Sequence, residues 1–271
     1  MEVVPLVFLA LLGVCVGSFL NVVILRFGFT ERASQRSRCA ACQSVLAPGD
    51  LVPVLSYFWL GGRCRRCGSG LSLQYPLVEL SVGFLFCLTF LVHPPALTIA
   101  SYIVFLATLG FWAALVGLVT YDIKHTLIPM PFVWALGAFA AIVVLAQTVL
   151  VGTSVAATSA VAGALVCGGF FALIHFVTQG KGMGIGDAYV ASCIGLMLGL
   201  ADGAVASALG VWLGALVGVA ALGVMQVFPN FHLTVAGTRV TLKSEIPFAP
   251  FLALGAVIAY VVPLSRILFG A

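Results

Sequence analysis

The chain has 271 residues, 62% of them hydrophobic and 7% charged, with a mean hydropathy of +1.22 and a formal net charge of +4. Soluble domains carry about 25% charged residues, so this composition excludes an ordinary soluble domain. In lipid the backbone must pair internally, which leaves helices or a closed barrel, and long unbroken apolar runs select helices.

Eight apolar spans are drawn in chain order, near Val3–Leu25, Leu77–Val92, Leu97–Thr120, Pro131–Val151, Val155–Val177, Ile185–Leu200, Gly203–Phe228 and Pro247–Phe269. The expected fold class is all-α: a polytopic membrane protein with about eight transmembrane helices. Three segments follow: residues 1–25 as the first transmembrane helix, 26–76 as a small soluble loop domain, and 77–271 as the remaining membrane core. The second and sixth spans are short against the ~20 residues that a crossing needs.

The first span has Glu2 instead of a basic leader and no small-residue cleavage site, so it reads as a retained helix. Its positive charge follows the span, which places the amino terminus outside. Eight crossings then put loops 26–76, 121–130, 178–184 and 229–246 on the cytoplasmic side. Those loops hold Arg26, Arg32, Arg36, Arg38, Arg63, Arg65, Arg66, Lys124, Lys181, Arg239 and Lys243, and of the 12 basic residues only Arg266 lies elsewhere. Helix count and orientation thus agree.

Near the end of the first span, Ser18 and Asn21 share a helix face, where interhelical hydrogen bonding is the expected use. The loop that follows contains Cys39-Ala-Ala-Cys42 and Cys64-Arg-Arg-Cys67. Two C-x2-C pairs at this separation are a zinc signature, and four thiolates suit a closed, structural tetrahedral site. Two disulfides are the alternative, which a cytoplasmic loop disfavours. The metal would supply folding energy to a loop too poor in apolar residues for its own core. Cys15, Cys87, Cys167 and Cys193 stand singly in apolar spans and read as packing residues. Glu79, just inside the second span, is expected to pair with an arginine of the loop rather than to act in catalysis.

Span three runs into Thr120-Tyr121-Asp122-Ile123-Lys124-His125, which puts Asp122 at the cytoplasmic end of its helix. Span six opens within Gly180-Lys-Gly-Met-Gly-Ile-Gly-Asp187 and begins on the same side. Asp122 and Asp187 are therefore level, in a chain with only eight acidic residues. An acid at a membrane helix end is a functional candidate by default. Two adjoining carboxyls share a proton, so one activates water while the other polarises a carbonyl. Gly184 and Gly186, lacking Cβ atoms, let an extended substrate backbone approach. His125 lies near Asp122, but no nucleophilic Ser or Cys in a sharp-turn motif accompanies it. His93, His175 and His232 form no metal-binding helix motif. Asp202 falls at the outer side and reads as a loop cap, and Pro250 is placed to distort the start of span eight.

These residues resemble the type IV prepilin peptidases, or prepilin leader peptidase/N-methyltransferases, membrane aspartic proteases with a GxGD motif. The resemblance runs through Gly17-Ser-Phe-Leu-Asn-Val-Val23, both Cys pairs, Asp50-Leu-Val-Pro-Val-Leu-Ser-Tyr57, Gly62-Arg-Cys-Arg65 and Tyr75-Pro-Leu-Val-Glu-Leu80. It continues through Asp122 with Leu127-Ile-Pro129, Gly184-Ile-Gly-Asp187 and Ile246-Pro-Phe-Ala-Pro-Phe251. It implies cleavage of the basic leader of type IV prepilins and type II secretion pseudopilins at the cytoplasmic face of a bacterial inner membrane. It also implies methylation of the new amino terminus with S-adenosylmethionine. By position Asp122 and Asp187 match the catalytic pair, and Cys39, Cys42, Cys64 and Cys67 match the zinc tetrad. Residues 77–271 would then be the aspartic peptidase core. Met130 stands where the family often has an acid, and Tyr189 where it often has Lys.

The expected partners are prepilins and the bilayer, with anionic headgroups on the loop arginines and no nucleic acid. Two other readings stay open: a GxGD intramembrane protease with different substrates, and a cation- or proton-coupled transporter using the same two acids.

Overall fold

A computed structural model describes residues 3–27, 37–150, 152, 154–227, 234–235, 238–239 and 247–262. The helices are α1 (Val3–Arg26), α2 (Leu55–Trp59), α3 (Gln74–Val92), α4 (Ile99–His125), α5 (Met130–Leu145), α6 (Ser154–Val177), α7 (Ile185–Val227) and α8 (Ala249–Val261). A π-type turn, Ala146–Leu150, extends α5. Strand structure among the described residues is one antiparallel pair, Thr234–Val235 with Thr238–Arg239, and two isolated bridges in the cysteine loop.

Among the described residues six helices are long and apolar enough to cross a membrane: α1, α3, α4, α5 with its π turn, α6 and α7, while α8 is a shorter apolar helix. Helix α7 accounts for two of the eight expected spans. Its regular backbone breaks at Gly199, which has φ 83° and ψ −178°. A Cβ on Gly203 would lie 2.8 Å from the Cα of Gly195. Residues eight apart on a straight helix are about 12 Å apart, so the chain doubles back at Gly199. Ser159 Oγ accepts the Leu200 N–H at 3.1 Å, which pairs a donor that the break releases.

The chain forms two compact units, residues 1–94 and 95–271. In the first, α1 packs on α3 through small residues. A Cβ on Gly13 would come 2.7 Å from the Cα of Gly83, and one on Gly17 would come 2.7 Å from the Cα of Glu79. This is a G-x3-G contact, in which missing side chains let two membrane helices touch backbone to backbone. Polar groups lace the same pair. Asn21 Nδ2 donates to the Tyr75 carbonyl at 3.2 Å, and Gln74 Nε2 donates to Asn21 Oδ1 at 3.4 Å. The interhelical role expected for Asn21 is therefore observed.

In the second unit α4 to α8 pack around a core that includes Trp112, Leu118, Leu136, Phe171, Val190 and Leu252. Threonines inside the helices return their hydroxyls to the backbone, as Thr108 does to Val104 and Thr120 to Val116. Each hydroxyl is thereby satisfied within its own helix.

Two expectations are corrected here. Asp202 falls just after the reversal at Gly199, but its Oδ1 is buried without a hydrogen-bond partner among the described residues, so the expected capping bond is not made. Pro250 does not distort α8, because the helix starts at Ala249 and Pro250 occupies its first turn. An N–H there has no intrahelical partner to lose. The expected extension of span eight beyond residue 262 lies outside the described residues.

Candidate active site and metal centre

Asp122 lies in the last turn of α4 and Asp187 in the first turn of α7. Both are buried, at 4% and 8% exposure, and the two carboxylates are close enough to interact electrostatically. The structure thus brings together two acids that are 65 positions apart in sequence, 187 minus 122. Asp122 Oδ2 has no hydrogen-bond partner among the described residues.

Local structure explains how each acid is held. Thr126, in the left-handed conformation (φ 51°), ends α4, and its N–H bonds the Asp122 carbonyl at 2.7 Å. The segment after it returns through Ile128 and the buried Pro129, bringing Ile128 against Gly186. On the other side, His175 Nδ1 pairs with the Met183 carbonyl at 2.9 Å, and Thr178 Oγ1 accepts the Gly182 N–H at 3.2 Å. The glycine-rich loop is therefore tied to the end of α6 before α7 begins. Gly184 is exposed and contributes a backbone hydrogen bond to the Asp187 carboxylate. A Cβ on Gly184 would stand 3.6 Å from Asp187 Oδ2.

A third element reaches the pair. The backbone N–H of Ala249, at the start of α8, hydrogen-bonds the Asp122 carboxylate. A helix amino terminus carries unpaired N–H groups and favours an anion. Phe248 fixes this end by packing on the buried Phe171 of α6, with ring centres 5.7 Å apart. Sequence spacing does not reveal this contact, since a backbone donor has no residue signature. The two prolines around it, Pro247 and Pro250, were the available signal for a helix start.

His125 stacks on Tyr121, with ring centres 4.4 Å apart, and is exposed. Tyr189 and Met130 are exposed, at 45% and 42%. Two carboxyls sharing one proton can activate a water molecule and polarise a carbonyl, which neither can do alone.

The cysteine loop forms a second centre. The Sγ atoms of Cys39, Cys42, Cys64 and Cys67 all lie within 4.8 Å of one another, and those of Cys39 and Cys67 are 3.8 Å apart. A tetrahedral ion with metal–sulfur bonds near 2.3 Å needs sulfurs about 3.8 Å apart, so the cluster fits a metal of that kind. All eight cysteines are unbridged.

The two pairs are built alike. Cys39 N–H bonds the Ser44 carbonyl and Gln43 N–H bonds the Cys39 carbonyl; Cys64 with Ser69, and Gly68 with Cys64, repeat the pattern. Gln43 and Gly68 are both left-handed, with φ 58° and 68°. Arg38 bridges Val45 as Arg63 bridges Gly70. This symmetry is visible in the sequence as Ser37-Arg-Cys-Ala-Ala-Cys-Gln-Ser-Val-Leu46 against Gly62-Arg-Cys-Arg-Arg-Cys-Gly-Ser-Gly-Leu71, a repeat that attention to cysteine spacing alone passes over. The Cys42 N–H, then the Ser69 hydroxyl and Ala41 N–H, lower the Cys39 thiol to about 6. Ser69 likewise holds Cys67 below the ordinary thiol range. Donors aimed at sulfur favour the thiolate, which is the metal-binding form.

Glu79 is seen in no ion pair with an arginine among the described residues. Its Oε2 accepts the Val54 N–H at 2.7 Å, and the Ser18 hydroxyl also bonds the carboxylate. The ion pair seen among the described residues of this loop is Arg65–Asp50, at 2.8 Å.

Fold and site define a helical multi-pass membrane protein that carries a buried acid pair and a four-cysteine centre. The model of the Bacterial Peptidase A24 N-terminal domain matches residues 11–93. Prepilin leader peptidase/N-methyltransferase of Bacillus subtilis (strain 168) is 31% identical over 253 residues, covering 93% of this chain and 92% of that protein. The protein of the same name from Aeromonas hydrophila is 30% identical over 284 residues, covering 92% and 88%. That of Myxococcus xanthus (strain DK1622) is 37% identical over 204 residues, and the match spans 71% of this chain and 56% of that protein. The chain belongs to the prepilin leader peptidase/N-methyltransferase family. No solved structure matches.

Proposed function

We propose that this protein is an aspartic endopeptidase that removes the leader of type IV prepilins and type II secretion pseudopilins, with Asp122 and Asp187 as its catalytic pair. The carrying observation is the meeting of two buried carboxylates from the ends of α4 and α7. The family relationship supplies the substrate class.

In the reaction the pair holds one proton. The ionised carboxyl takes a proton from water as the water oxygen attacks the scissile carbonyl carbon. The protonated carboxyl gives its proton to the carbonyl oxygen. Collapse of the tetrahedral intermediate breaks the carbon–nitrogen bond; the leaving amine receives the proton taken from water, and a hydroxyl of the intermediate returns its proton to the other carboxyl, so the pair again holds one proton. The α8 amino terminus, through Ala249 N–H, steadies charge on Asp122. The bare Cα of Gly184 keeps Asp187 open to an extended substrate, while Gly186 lets the Ile128 segment pack beside it.

The site faces the cytoplasm and the amino terminus lies outside, in a bacterial inner membrane; the distribution of Arg and Lys supports this orientation. Cys39, Cys42, Cys64 and Cys67 would hold a structural zinc ion, which ties the two knuckles together and leaves no coordination position for water. The second activity is methylation of the new amino terminus, with S-adenosylmethionine as donor. The test is incubation of purified protein with a prepilin and S-adenosylmethionine, then mass measurement of the product. A shortened, singly methylated chain supports both activities, a shortened unmethylated chain supports cleavage alone, and an intact prepilin contradicts the assignment.

A further inference from the structure

Val54 has φ 61° and ψ −56°, and the Leu55 N–H bonds the Pro53 carbonyl at 2.6 Å. This is a γ-turn of the positive-φ type, rare and strained for a β-branched residue. Its N–H is fastened to Glu79 Oε2 at 2.7 Å. The strained turn therefore fixes where α2 begins relative to α3.

That fastening sets a depth. Helix α3 has 19 residues, about 28 Å, close to the ~30 Å hydrocarbon thickness of a bilayer. Glu79 is five residues from its start, about 7.5 Å along the axis. Helical side chains lean toward the amino-terminal end, so the carboxylate reaches back toward the polar boundary. Val54, and with it α2, sits at the border between headgroups and acyl chains.

At that level α2 presents an apolar face to the outside. Leu55, Phe58 and Trp59 occupy positions i, i+3 and i+4, which fall on one side of a helix. They are 66%, 67% and 89% exposed. Tyr57 turns the other way, and its hydroxyl donates to the Leu71 carbonyl at 3.5 Å. Arg63 and Arg66, shortly after α2, are also exposed. Aromatic side chains with neighbouring cations are the composition of a membrane interface.

We propose that α2 is an interfacial anchor: Leu55, Phe58 and Trp59 insert at the headgroup–acyl boundary of an anionic bilayer, Arg63 and Arg66 engage its phosphates, and the cysteine centre is thereby held at the membrane surface. This contact is independent of the reaction at Asp122 and Asp187, and it stands or falls by itself.

The full-length protein is placed in nanodiscs of phosphatidylethanolamine and phosphatidylglycerol, and the emission of Trp59 is taken as wild type minus Trp59→Phe. Expected are a blue-shifted difference spectrum, loss of that emission with lipids brominated near the headgroup end of the chain, and little loss with aqueous iodide. Quenching by iodide, with a red-shifted spectrum, would put Trp59 in water and overturn the proposal. Stronger quenching by bromines near the chain's methyl end would overturn the assigned depth. Resistance to all three quenchers would mean that protein covers this face, and the anchor would be rejected.

Discussion

Ile128 fills the space that a side chain at residue 186 would need. A Cβ on Gly186 would come 2.8 Å from Ile128 Cδ1. The glycine one position before Asp187 thus sets how closely the α4–α5 link packs beside the acid pair. Gly186→Ala forces these groups apart at a cost of about 1–3 kcal/mol. Small displacements at a catalytic pair cost up to about 100-fold in rate, and a fall of at least tenfold in leader cleavage is expected. Ile128→Gly in the same chain removes Cδ1, Cγ1 and Cβ, the three atoms the new methyl would meet, and restores part of the rate. Strictly multiplicative losses in this double-mutant cycle would show that the two positions do not interact.

Glu79 and Val54 allow a test of opposite signs. Glu79→Ala leaves the Val54 N–H without its acceptor and destabilises the loop by about 1–3 kcal/mol. Val54→Gly relieves the strained turn and is expected to stabilise by about 1 kcal/mol. Amide hydrogen exchange over residues 52–60 reads both, with faster exchange in the first variant and slower in the second. Equal exchange in the two would remove the strained turn from the account.

The two cysteine knuckles make a matched pair. Gln43 and Gly68 occupy equivalent left-handed positions. A residue with a Cβ pays about 1–2 kcal/mol there. Gln43→Gly is expected to tighten zinc retention against a chelator by about tenfold, and Gly68→Ala to weaken it similarly, since 1.4 kcal/mol is a factor of ten. Cys39→Ser removes a ligand, and bound zinc measured by elemental analysis should be lost. Undiminished zinc in Cys39→Ser would exclude the tetrad as the site.

Most of this architecture was legible because lipid enforces it. An apolar run must be a helix, so Val155–Val177 differs by one residue from the observed Ser154–Val177. Asp122 and Asp187 could be paired from charge alone, since loop Arg and Lys assign sides and two acids on one side lie at one depth. Other features depend on backbone geometry that residue identity does not encode. Glu79 accepts the N–H of Val54, because the chain adopts a turn that no propensity favours at a valine. Ala249 reaches Asp122 through its amide, and any residue but proline would offer the same donor. Gly199 reverses α7, but the chain has 30 glycines, and spacing alone does not single this one out.

The central claim is that Asp122 and Asp187 together cut the prepilin leader. Asp122→Asn and Asp187→Asn keep the shape of each side chain but remove its acid–base function. Each purified variant, shown to insert and accumulate like the parent, is incubated with a prepilin, and the product is weighed by mass spectrometry. The account predicts that either change leaves the prepilin uncut. Leader removal at the parental rate by either variant would contradict it.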